Sequence, residues 1–353
     1  MQGKLVGLNT GDDLKKAFAA ALVEIAEKIP ESLTLKDIKS VQPAIPHLTE
    51  VAQNLIDAVQ DENLTWVFTS LGNFYQEQGL YTLAAPWYEQ GLSTVQTRLG
   101  EAHPSVATSL NNLAGLYYSQ GRYDQAEPLY LQALELRKRL LGDAHPDVAE
   151  SLNNLAGLYD SQGRYDQAET LYLQALELYK RLPGEAHPRV ASSLNNLAGL
   201  YESQRRYDQA EPLYLQALAQ RKRLLGEEHP DVATSLNDLA NLYKSQGRYD
   251  QAEPLYLQAL ELYKRLLGEA HPHVAASLNN LGNLYESQGP YDQAEPLYLQ
   301  ALEIFQQVFG VNHPNTVTVK QNLENLQAQK SASRKVKNNT NNSWWEKFLG
   351  LFD

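Results

Sequence analysis

Two residue types recur in this chain at spacings that could do chemistry. His-Pro dipeptides start at positions 103, 145, 187, 229, 271 and 313, each 42 residues after the last. Imidazole is a common zinc ligand, but zinc holds its ligands about 2 Å away. One histidine per repeated segment, with segments a helix-pair width apart, leaves neighbouring rings about 10 Å apart or more. The spacing therefore predicts no metal site. It predicts a local role, in which each ring satisfies an orphan backbone group at a helix N-terminus or packs on the preceding loop. Asparagine recurs as pairs: Asn111 and Asn112, Asn153 and Asn154, Asn195 and Asn196, Asn279 and Asn280, with Asn237 beside Asp238 in the fifth repeat. A carboxamide offers both a donor and an acceptor, so a ladder of them can pair with a peptide main chain whatever its side chains. The same ladder could instead join neighbouring repeats, and the two roles can coexist.

Catalytic constellations are missing from the sequence. It has no Gly-rich phosphate loop, no nucleophile elbow and no His-Glu-x-x-His. Cysteine is absent, which removes thiolate ligands, thiol nucleophiles and disulfides. Asp124 and Glu127 recur in repeats 2 to 6 at the start of a helix, where they read as a capping box and not as an acid–base pair. The expectation is a non-enzyme without cofactor. The 353 residues carry a net charge of −12, which disfavours nucleic acid and anionic membrane as partners of the repeats. No 18-residue apolar run and no basic-then-apolar leader is seen, so a cytoplasmic protein is expected.

The elements that must position these residues are legible in the repeat. Val106, Leu110, Leu113 and Tyr117 are spaced four, three and four, one stripe of a helix. Pro104 suits its first turn, and Gly121 suits a left-handed stop. A second helix is expected to open at Asp124, with Pro128 in its first turn, a stripe through Ala126, Tyr130, Ala133 and Leu140, and Gly142 as its end. Small Ala114, Ala126 and Ala133 and their equivalents, with Gly282 in place of alanine in the sixth repeat, let the helices nest closely. The Tyr117, Tyr123 and Tyr130 series fill the larger spaces of the core.

Leu113-Ala114-Gly115-Leu116-Tyr117, followed by Ala126, Tyr130 and Ala133, resembles the tetratricopeptide repeat from about residue 62 to 328. The 42-residue period, with Leu-Gly-x-x-His-Pro-x-Val-Ala between repeats and Leu-Asn-Asn-Leu-Ala within them, is similar to the repeats of kinesin light chains. The resemblance implies an all-α, right-handed α-solenoid of antiparallel helix pairs, with first helices lining a concave face that takes extended peptides. It implies that the asparagines hold the peptide main chain, and that Arg139, Arg181, Arg223 and Arg265 present cations to the groove. Kinesin light chains also carry long heptads. Residues 1–60 have none, so a motor-linked role is not supported. Selectivity is expected from positions that vary between repeats: Tyr118, Asp160, Glu202, Lys244 and Glu286, and Thr108, Glu150, Ser192, Thr234 and Ala276. Their mixed signs leave the charge of a ligand open.

Four segments follow. Residues 1–60 form a helical N-terminal segment, with helices near Asp12–Lys28 (Leu14, Phe18, Leu22 and Ile25 on one face) and Pro46–Val59. Residues 61–328 hold six helix pairs and a capping helix whose divergence suits a solenoid end. Residues 329–342 read as a flexible basic linker. Residues 343–353 carry Trp344, Trp345, Phe348, Leu349 and Phe352, an aromatic motif that could anchor at a membrane interface, bind a partner or fold back on the repeats. Membrane contact is expected through this tail alone. The leading reading is a scaffold or adaptor for protein and peptide partners. A self-assembling structural element and a regulatory signalling module are the alternatives, and divergent ends favour a monomer.

Overall fold

A computed structural model describes residues 11–28, 39–182, 188–289 and 291–349, the side chains beyond 332 not being among them. Helices α1 (Gly11–Ala26) and α2 (Ile45–Asn54) precede six antiparallel pairs: α3 (Leu64–Gln76) with α4 (Tyr81–Leu99), α5 (Pro104–Ser119) with α6 (Tyr123–Leu141), α7 (Pro146–Ser161) with α8 (Tyr165–Lys180), α9 (Pro188–Ser203) with α10 (Tyr207–Leu225), α11 (Pro230–Ser245) with α12 (Tyr249–Leu267), and α13 (Pro272–Gln288) with α14 (Tyr291–Phe309). Helix α15 (Pro314–Leu349) follows. No strand occurs among the described residues. The chain forms two compact bodies, Met1–Gly226 and Glu227–Asp353. In each, the second helix of one pair packs on the first helix of the next, and neighbouring first helices also touch, as α3 does α5 and α5 does α7. This is the serial stacking of an α-solenoid.

The repeat builds its helices by the expected devices, with three differences. His103 Nδ1 accepts the backbone N–H of Ser105 at 3.2 Å, and His145, His229, His271 and His313 do the same for the residue two positions on. His187 lies outside the described residues. Gly121 takes φ +70° and Arg122 N–H returns to Tyr117 O at 2.9 Å, which closes the last turn of α5. The second helix, however, opens at Tyr123 with Arg122 as its N-cap and no side-chain cap, so Asp124 and Glu127 make no capping box. Glu127 is instead drawn to the next repeat. Pro128 consequently falls in the second turn, where it deprives the Asp124 carbonyl of a backbone donor. Repeat 3 has Thr170 there, whose hydroxyl donates to the equivalent Asp166 O at 2.9 Å. In α1 the buried face is Ala19, Leu22, Val23 and Ala26, while Leu14 and Phe18 stay exposed. The amphipathic face expected from the sequence is thus rotated, because small residues let α1 lie closer to its neighbours.

Packing follows the small-residue pattern. Ala114, Ala126 and Ala133, and their equivalents in repeats 3 to 5, are fully buried, as are the large rings of Tyr256 and Tyr298. The Tyr130 series is core, whereas Tyr165 of the Tyr123 series is exposed. Helices α1 and α2 share one core with repeats 1 and 2, through Leu22, Leu48 and Val51 against Leu64, Phe68 and Leu71. Ser70 Oγ donates to Ala26 O at 3.1 Å across that seam, and Arg98 donates to Ile56 O and Val59 O. At the other end, Val319, Leu323 and Leu326 of α15 are buried. The helix then runs on through 329–342, where the sequence predicts a flexible linker. That stretch holds neither proline nor glycine, the two residues that break a helix most strongly, and Lys330, Arg334, Lys335 and Lys337 in its first part are good helix formers.

Candidate functional site

The first helices present one face on which polar side chains gather. Between α3 and α5 this face opens into a cavity of about 550 Å³ lined by Thr65, Trp66, Thr69, Asn73, Thr108 and Asn112, among others. Trp66 is 45% exposed at its edge, although tryptophan carries apolar area that folding normally covers. The sequence gives no sign of this residue, because repeat 1 departs from the shared pattern just where Trp66 stands.

The asparagine pairs are divided between neighbouring repeats. Asn112 Nδ2 donates to Thr69 Oγ1 at 3.1 Å, and Asn154 Nδ2 donates to Asn111 Oδ1 at 2.9 Å. Asn322 of α15 makes the same 2.9 Å bond to Asn279. Asn153 Nδ2 reaches forward to Ser193 Oγ at 3.1 Å. The Oδ1 atoms of Asn153, Asn195 and Asn237 are sealed from solvent without a hydrogen-bond partner, and Asn280 is half-buried. Asn196 alone of these asparagines is exposed. The ladder between repeats is therefore present, and it uses donors that a ligand would otherwise take.

The arginines stand elsewhere. Arg139 lines a separate depression with Glu101, Gln132 and Glu135, none of which belongs to the cavity around Asn112. Arg265 pairs with Glu228 of the loop before α11 at 3.1 Å, Arg181 pairs with Glu177 on its own helix, and Arg223 is exposed. Arg139 and Arg265 thus lie beside the loop that enters their own repeat. The buried cation is instead Arg137, which donates to Asp147 O and Ser151 Oγ at 2.9 Å and lies 3.4 Å from Glu150. Repeats 3 and 5 have Tyr179 and Tyr263 at this register and repeat 4 has Arg221, so cation and phenol alternate over repeats 2 to 5.

A further set, missed from the sequence, links successive repeats. Tyr117, Tyr159, Tyr201 and Tyr285 donate to Glu89, Glu127, Glu169 and Glu253 of the preceding repeat at 2.8–3.1 Å. Arg164 and Arg206 lie over the Tyr159 and Tyr201 rings and pair with Glu127 and Glu169 at 2.7 and 2.6 Å. Hydrogen bonding from Arg206, helped by Tyr201 and opposed by burial, holds the Glu169 carboxyl below its ordinary range. At the end of the stack Gln327 and Lys330 of α15 take Glu295 in place of tyrosine and arginine, at 3.1 and 2.6 Å. From repeat 2 on, the glutamate early in the second helix looked like half of a capping box because its real partners lie more than 30 residues on, whereas repeat 1 uses Glu89, one turn later, 28 residues before Tyr117.

The side chains of Trp344, Trp345, Phe348 and Leu349, and the whole of Phe352, lie outside the described residues. Among the described residues no cluster of three or more His, Cys, Asp or Glu could hold a metal ion, and no helix is long and apolar enough to cross a membrane.

The family model for the tetratricopeptide repeat matches overlapping segments 63–138, 105–181, 147–221, 189–265, 232–298 and 273–335. No curated protein matches the chain. Of solved structures, BtubC (BKLC) from P. vanneervenii is 27% identical, over 74% of this chain and 94% of that one, with a TM-score of 0.50. A Podosopora anserina protein described as a kinesin light chain with nearly identical TPR-like repeats is 26% identical over 57% of this chain and 95% of its own, with a TM-score of 0.47. A Rap protein complexed with Competence and Sporulation Factor is 18% identical over 94% and 90%, with a TM-score of 0.59, a likeness of fold.

Proposed function

We propose that this chain, which belongs to the tetratricopeptide repeat family, binds an extended peptide segment of a partner protein along its first-helix face. The repeats are of the kinesin light chain-like kind, and their fold is that of protein-interaction scaffolds. The observation that carries the finer reading is the cavity between α3 and α5. It sets an exposed indole beside hydroxyls and carboxamides, a mixture that grips a peptide's apolar side chains and its main chain together. Asn112 supplies a carboxamide to that cavity, and Asn111, Asn154 and Asn196 continue the series along α5, α7 and α9. The late arginines take no part in this reading, and neither does catalysis.

Linear dodecapeptides selected on the full chain from a random display library provide the test, with hydrogen exchange read on the complex. Protection confined to α3, α5, α7 and α9 is expected, with Trp66→Ala and Asn112→Ala each weakening binding about fivefold or more at unchanged helicity. Protection on the second helices alone, or no selectable peptide at all, would remove the groove from consideration.

A further inference from the structure

Every repeat sets a buried tyrosine beneath the same point of its first helix: Tyr88, Tyr130, Tyr172, Tyr214, Tyr256 and Tyr298, none more than 5% exposed. A buried phenol needs a partner for its O–H. In repeats 1, 5 and 6 that partner is a carboxamide of the same repeat, since Asn73, Asn241 and Asn283 accept from Tyr88, Tyr256 and Tyr298. Repeat 4 has Gly199 at this register, and Glu202, three residues on, accepts from Tyr214 at 3.0 Å. Glu286 likewise stands 2.7 Å from the Tyr298 hydroxyl.

Repeat 3 supplies neither group. Gly157 replaces the asparagine, and Asp160, one methylene shorter than glutamate, replaces the acid. The Tyr172 hydroxyl makes no hydrogen bond among the described residues, yet it is not among the polar atoms sealed from solvent. A Cβ built on Gly157 would stand 3.4 Å from that hydroxyl and, its own helix backbone aside, meet nothing else within 4 Å, so the space of a missing side chain is open above it. Asp160 is half-buried, makes no side-chain hydrogen bond or ion pair among the described residues, and has its carboxyl pushed up by burial. Repeat 2 opens in the same way over Tyr130, with Gly115 above it at 3.6 Å. Tyr118, at the register of the acid, turns its hydroxyl to Ser161 at 2.9 Å. Two adjacent repeats in the Met1–Gly226 body therefore lack the group that the others carry within themselves.

We infer that the notch formed by Gly157, Tyr172 and Asp160 is a subsite for a carboxamide brought by the bound peptide. The ligand oxygen accepts the Tyr172 O–H, as Asn283 Oδ1 accepts that of Tyr298, and the ligand N–H donates to the Asp160 carboxylate. A cation would satisfy Asp160 but leave the phenol proton unused, whereas an amide uses both groups. The amide can belong to an asparagine or glutamine side chain or to the peptide main chain. The inference rests on the groove reading and adds to it the place and chemistry of one contact.

The experiment uses the dodecapeptides selected on the full chain and measures their binding to Gly157→Asn, which installs the asparagine of repeats 1, 5 and 6. The space above Tyr172 accepts a Cβ at ordinary contact distance, so helicity and melting temperature should hold. Binding should fall about tenfold or more, and Tyr172→Phe, which deletes one hydroxyl, should lower it about fivefold. Replacing each Asn or Gln of a peptide by alanine, and N-methylating each peptide bond in turn, tells a side-chain amide from a main-chain one. Peptides that protect the first helices yet bind both variants as tightly as the parent would overturn the subsite and leave the groove standing. So would dependence on a lysine or arginine with no sensitive amide. Failure of any peptide to protect the first helices would instead overturn the groove reading beneath it.

Discussion

At the scale of the residue, the groups that join one repeat to the next are glutamates with partners far along the chain. Glu169 receives Tyr201 and Arg206 at 2.8 and 2.6 Å, and its side chain is 24% exposed. Its folded carboxyl pKa lies below the unfolded value, with the Arg206 hydrogen bond as the main cause. The resulting stabilisation is fully present above the unfolded value near pH 4.5 and is lost as the pH falls through the lower folded value. Partial exposure of both partners limits it to about 0.5–1 kcal/mol. Glu169→Gln should therefore lower stability by that amount at pH 7 and by progressively less toward pH 3. Urea midpoints of parent and variant at both pH values give the measurement, and an equal deficit at both would mean that the charge is not responsible. The sequence displays these glutamates in repeats 2 to 6 but hides their role, because a capping box and an inter-repeat clamp ask for the same residue at the same place. The histidines were the easier case. Their partner is two residues away, within reach of local reasoning, and Nδ1 accepts that N–H in five repeats.

At the scale of the element, the helices and their glycine stops were legible because both depend on neighbours within a turn or two. Gly121, Gly163, Gly247 and Gly289 end the first helices of repeats 2, 3, 5 and 6 with φ between +70° and +99°. Repeat 4 places Arg205 there at φ +58°, a left-handed conformation that a Cβ makes costly by roughly 1–2 kcal/mol. Part of that is regained because arginine has less backbone freedom than glycine to lose on folding. Arg205→Gly should raise stability by about 0.5–1 kcal/mol, seen as a higher melting temperature. A fall would show that the arginine side chain holds the turn by other means. Helix α8 stops at Lys180, earlier in its repeat than the other second helices do, and Leu182-Pro183 gives the reason, since a proline disfavours helical backbone in the residue before it. The glycine at 282 was legible as an exception but not as a necessity. The Tyr298 ring lies 2.8 Å from where its Cβ would stand, and only the packed structure shows that alanine cannot be accommodated there without a shift.

At the scale of the whole molecule, the ends decide whether near-identical repeats stop or continue. Helix α15 answers the last repeat with Gln327 and Lys330 on Glu295, and with Val319, Leu323 and Leu326 in the core. Among the described residues its buried apolar side chains end at Leu326. Removing residues 333–353 should therefore leave the melting temperature within a few degrees. Removing 314–353 should uncover an apolar helix face and cause concentration-dependent growth, because an uncapped solenoid end offers a surface that another copy can cover. Light scattering on both truncations, beside the full chain, tests this. Growth of the full chain itself would favour the self-assembling alternative.

The sequence by itself determined the repeat, its two helices, their stops, the small-residue seams and the family, all set by spacings within 42 residues. Tertiary structure decided which polar groups are consumed between repeats and which remain for a partner. The Asn154–Asn111 and Glu169–Arg206 pairs join residues 37 to 43 positions apart, and no local pattern reports them. The open hydroxyl of Tyr172 is likewise a fact of distance, since one methylene at Asp160 and one missing side chain at Gly157 leave it unpaired. Periodicity reveals what every repeat shares, whereas the free valence of a single repeat shows only when its side chains are packed against their neighbours.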